Sequence, residues 1–65
     1  MKLIFLDLNE YVTMKDVKRE VEEYATYYGG MVEFILINDG WSKQRINKLF
    51  KFIKQFDCVV CGPYK

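Results

Sequence analysis

Met31-Val32-Glu33-Phe34-Ile35-Leu36-Ile37 is an apolar run broken by a single acid near its start, and two further runs have the same character, Leu3–Leu8 and Cys58–Cys61. None of them alternates between apolar and polar residues. Short apolar runs rich in β-branched and aromatic side chains and bounded by turn residues read as strands. Strands that are apolar on both sides belong to parallel sheets covered on both faces. Two amphipathic stretches separate the runs, so the economical reading is strand, helix, strand, helix, strand across all 65 residues.

Working outward from the runs, Thr13 is the expected N-cap of the first helix, and Thr13-Met14-Lys15-Asp16 approximates a capping box with Asp for Glu. Val17, Val21, Tyr24, Ala25 and Tyr28 then trace one helical face, and Gly29-Gly30 supplies a left-handed stop. Asn38-Asp39-Gly40 is a turn signal after the second strand. Ser42 caps a second helix predicted over Lys43–Phe56, with Ile46, Leu49, Phe50, Ile53 and Phe56 inward and Phe52 widening the stripe. Asp57 is expected to open the third strand and Gly62-Pro63 to end it, since proline cannot donate to a ladder.

These elements define an α/β fold: one domain over residues 1–65, a minimal βαβαβ unit with a mainly parallel three-stranded sheet. Crossovers between parallel strands are right-handed. With the first strand central, the order is 2-1-3 and the helices lie on opposite faces, which suits a first strand apolar on both sides. That order is the expectation. Order 1-2-3 would place both helices on one face and leave a bare apolar face that a second subunit would have to cover. Either order leaves two edges, and Phe34–Ile37 carries no charge to blunt edge pairing.

A chain this short buries only about 60% of its unfolded surface. Two cysteines without a zinc-ligand pattern supply neither a disulfide framework nor a metal clip. Association with a second copy or a partner is therefore expected, a homodimer first. No secretory signal or membrane-length run is present, so reduced thiols and a cytoplasmic location are expected, with no membrane partner. Phe, Tyr, Met, Ile, Asn and Lys abound beside one alanine and one proline, the bias of AT-rich coding, as in a low-GC bacterium or its phage.

Charge is uneven although the net is +1. The first helix is acidic, with Asp16, Glu20, Glu22 and Glu23; residues 41–56 carry Lys43, Arg45, Lys48, Lys51 and Lys54 with no acid. Trp41 precedes that basic helix. Aromatics anchor contacts and cations steer partners, so Trp41, Lys43, Arg45, Lys48, Lys51 and Phe52 form the candidate partner-binding surface. The same residues allow a second reading as a nucleic-acid binder, because lysines release counterions from phosphates and an aromatic stacks on bases.

Ligands of open parallel sheets bind at the carboxyl ends of the strands. Asp7, Asn9 and Asp39 are the candidate ligand rim there, beside Glu10, Asn38, Ser42 and Gly62, with Asp7 and Asp39 as candidate magnesium donors. Caps and turns account for most of these residues, so no cofactor or metal is expected. Phe5-Leu6-Asp7-Leu8-Asn9 is similar to the first motif of haloacid-dehalogenase phosphatases, but Asn9 replaces the second acid and the later motifs have no room. Cys61-Gly62-Pro63-Tyr64-Lys65 resembles the thioredoxin active-site segment, with Tyr64 in place of the second cysteine. Cys58 and Cys61 stand three apart on a strand and so point to opposite faces. With no histidine and no phosphate loop, no catalytic set is expected. The expectation is a non-enzymatic protein-interaction module, dimeric, of the kind phages use to bind and block a larger host protein.

Overall fold

The computed structural model describes all 65 residues. Each apolar run becomes a strand and each amphipathic stretch a helix: β1 (Lys2–Asp7), α1 (Met14–Tyr28), β2 (Val32–Ile37), α2 (Lys43–Lys54) and β3 (Val59–Tyr64). A one-turn 3₁₀ helix over Leu8–Glu10 follows β1. The three strands are parallel in one open sheet, so the class is α/β.

The strand order is β1-β2-β3, which corrects the expected 2-1-3. Consecutive strands lie side by side, and two right-handed crossovers then deliver both helices to the same face. All twelve buried residues form one cluster on that face. Leu6 and Leu8 contribute from the first strand and its turn, Val32, Phe34 and Leu36 from β2, Val17, Val21 and Ala25 from α1, and Ile46, Leu49 and Ile53 from α2. Central β2, whose uncharged Phe34–Ile37 segment was expected to raise an edge problem, is paired on both sides. The edges fall to β1 and β3. β1, expected at the centre, leaves Leu3 and Phe5 exposed.

Both helices start as expected. Thr13 accepts from the Asp16 N–H (3.3 Å) and donates its hydroxyl to Asp16 Oδ2 (2.9 Å), closing a short capping box. That hydroxyl holds the Asp16 carboxyl below its ordinary value, with Arg19 adding its charge. Gly29, at φ 60°, ends α1 in the left-handed cap, its N–H bonded to the Ala25 carbonyl.

The third strand departs from expectation at both ends. Asp57 is not its first residue but a left-handed turn, φ 57°, that carries the chain out of α2. Gly62-Pro63 does not end the strand. It forms an irregularity between the Ile35 and Ile37 pairings, after which Tyr64 pairs with Ile37 and its carbonyl accepts from Asn38 N–H at 2.7 Å. A bulge places the missing N–H of proline where the ladder has none to lose. Gly62 sits at φ 111°, and a Cβ there would lie 2.6 Å from the Leu36 carbonyl oxygen, so only glycine fits.

Candidate functional site

Register fixes what the face opposite the helices presents. Leu3 pairs with Glu33 and Glu33 with Val59; Phe5 pairs with Ile35 and Ile35 with Cys61; Asp7 pairs with Ile37 and Ile37 with Tyr64. Partners across a ladder share a face, so these nine positions form three rows on the open side. Seven of them are apolar or aromatic, with Ile35 at the centre. No helix covers them: Leu3 is 51% exposed, Phe5 65%, Val59 43% and Tyr64 55%. Glu33 and Asp7 lie in the two outer rows, where water reaches them.

The expected 2-1-3 order put a helix over this surface and the alternative 1-2-3 left it bare; each long run held a signal that decides between them. Its one acid, Asp7 or Glu33, shares parity with Leu3 and Phe5 or with Ile35 and Ile37. A carboxylate is rarely left unpaired inside a covered face. The acids therefore mark the side that the helices leave open.

Cys61 and Glu33 meet on this face, Cys61 Sγ donating to Glu33 Oε2 at 3.1 Å. That bond raises the Cys61 thiol above its ordinary value, and desolvation and the carboxylate's charge push the same way. Cys58 lies on the helix side, buried, with its thiol raised first by burial and then by the Asp57 charge. The two thiols sit on opposite faces, as their spacing requires, and neither is activated as a thiolate nucleophile.

The candidate rim does come together, but its polar atoms hold the loops. Asp7 Oδ1 accepts from the Asn9 N–H and from Asn9 Nδ2 at 3.1 and 3.0 Å. Asn9 Oδ1 accepts from the Asp39 N–H at 3.2 Å, tying the first strand's turn to the second's. Asn38 Oδ1 accepts from the Trp41 N–H at 2.8 Å while Asn38 Nδ2 donates to the Trp41 carbonyl, and Ser42 caps Arg45 N–H. No group of three or more Asp, Glu, Cys or His side chains is arranged to hold a metal ion.

The candidate partner-binding residues divide between two surfaces. Lys43, Lys48 and Lys51 are exposed and, at about 100° per residue, stand with Lys54 on the outward side of α2. Arg45 instead stacks on the Trp41 ring at 3.9 Å, a cation–π pair. Phe52 turns toward α1, where Lys18 Nζ lies 5.1 Å from its ring centre and Phe56 meets it edge-on. It forms part of an α1–α2 groove also lined by Met14, Lys18, Glu22 and Tyr27. The only ion pair in the chain is Arg19–Asp16, so the cations of α2 are unneutralised.

No helix is long and apolar enough to cross a membrane. No protein-family model, curated protein or solved structure matches the chain.

Proposed function

We propose that this protein is a non-enzymatic protein-interaction module whose principal contact surface is the open face of its sheet. One observation carries the reading: seven of nine positions on that face are apolar and no part of the chain covers them. Monomeric proteins rarely expose contiguous apolar patches above a few hundred Å² unless a partner uses them. The rim favours a binding role, because Asp7, Asn9, Asn38 and Ser42 commit their side chains to caps and turns. Occupying and blocking a surface on a larger protein in the cytoplasm, as small phage inhibitors do, is a role that needs no catalytic group.

The unneutralised cations of α2 favour a second surface that steers acidic partners, with nucleic acid as the alternative ligand. The test is capture from a lysate of a low-GC bacterium by three forms: native, Ile35→Lys, and Lys48→Glu/Lys51→Glu. Capture lost with Ile35→Lys and kept with the helix variant supports the sheet face. Capture indifferent to Ile35→Lys overturns it. Binding of short DNA or RNA that falls steeply with salt and disappears in the helix variant would establish the nucleic-acid reading instead.

A further inference from the structure

We infer that the occupant of the open sheet face is a second copy of this chain, packed face to face about a two-fold axis through Ile35. The inference rests on the reading of that face as the contact surface and adds its partner. Three strands of six residues, spaced by about 4.8 Å with a rise of about 3.3 Å per residue, cover about 14 by 20 Å. Side chains raise the accessible area above that footprint of about 280 Å² per copy, so a pair buries on the order of 1,000 Å², the lower limit for a specific interface. An interface at that limit is a weak, reversible one.

The arrangement of residues suits self-pairing. Ile35 is the centre of the three rows, so a two-fold there sets it against its own copy and leaves the apolar middle row, Phe5, Ile35 and Cys61, on that of the partner. With the axis running across the strands, outer rows exchange, so Glu33 faces Ile37 and Asp7 faces Leu3 of the partner, both in the outer rows at the margin of the contact, where water reaches the carboxylates. Helices then cover both outer sides of a four-layer α/β/β/α particle. A lone copy has core on one side of its sheet only; the pair has it on both. The outward cations of α2 remain free in the dimer.

Sedimentation equilibrium over a concentration series from well below to well above the micromolar range tests this. The native protein is expected to pass from 7.8 kDa to twice that mass. Ile35→Lys, and independently Phe5→Lys, should weaken association about 100-fold or more while the far-UV circular dichroism stays native. Glu33→Leu should tighten it about tenfold by removing the carboxylate from the contact. In a Cys61→Ser background, Ile35→Cys should be joined to its own copy by a short bismaleimide, since facing sheets lie about 10 Å apart. A native protein that stays at 7.8 kDa throughout, or a dimer that survives both lysine variants, overturns the inference. A monomer whose lysate capture still depends on Ile35 refutes the second copy alone. A monomer at every concentration whose capture is also indifferent to Ile35→Lys refutes the underlying reading as well.

Discussion

The same substitution placed on the two sides of the sheet should have very unequal consequences. Phe34, on central β2, is fully buried beneath the helices; Phe5, on β1, is 65% exposed on the open face. Truncating a core phenylalanine to alanine removes its transfer free energy and leaves a cavity, together about 3–5 kcal/mol. A phenylalanine covers about 200 Å², and only about a third of Phe5 is covered, so at about 25 cal/mol/Å² its loss costs about 1.5–2 kcal/mol. A single core in a domain of this size supplies about 3–5 kcal/mol of net stability. Phe34→Ala should therefore sit near or past the unfolding midpoint in plain buffer, whereas Phe5→Ala should unfold cooperatively at lower urea than the native protein. The assay is urea titration at sub-micromolar protein, followed by Trp41 fluorescence and far-UV circular dichroism. Dilution keeps any association out of the comparison. Equal losses, or a larger one for Phe5→Ala, would refute a core confined to one side of the sheet.

Other perturbations probe separate parts of the same account. Ile53→Asp puts an unpaired carboxylate among fully buried residues and should abolish the native circular dichroism spectrum. Gly62→Ala combines a disfavoured φ with a Cβ 2.6 Å from a carbonyl oxygen; a loss of about 2–3 kcal/mol is expected in thermal or urea unfolding, and a change under about 0.5 kcal/mol would mean the bulge is not held as described. Glu33→Gln removes the charge that helps raise the Cys61 thiol, so alkylation of Cys61 by iodoacetamide at mildly alkaline pH should become faster, with mass spectrometry distinguishing it from buried Cys58. Both folded thiols hold their protons more tightly than the unfolded chain does. Their contribution to stability is thus complete below the unfolded thiol pKa and lost as pH rises through the folded one, and unfolding midpoints should fall across that alkaline window.

Local chemistry in the chain was enough to set the kind and order of its elements and the starts of both helices, though not the ends of β3. Thr13 and Ser42 accept from the first turns of their helices, Gly29 ends α1 in the left-handed region, and the spacing of Val17, Val21 and Ala25 or of Ile46, Leu49 and Ile53 picks the buried stripe. These depend on neighbours a few residues apart, so they are legible in one dimension. Strand order is not of that kind. Orders 2-1-3 and 1-2-3 use the same strands, helices and crossover hand, and differ only in which strands meet across tens of residues. Tertiary pairing put β2 at the centre and both helices on one side, and so turned Leu3, Phe5 and Val59 from expected core into an exposed surface around half-buried Ile35. The cations of α2 were readable as a charged flank, yet only the packing of α1 beside α2 drew Phe52 inward and set Arg45 on Trp41. An apolar residue records that it favours burial; what buries it depends on contacts made after the chain has folded back on itself, and here the chain covers only one of the two faces its strands can offer.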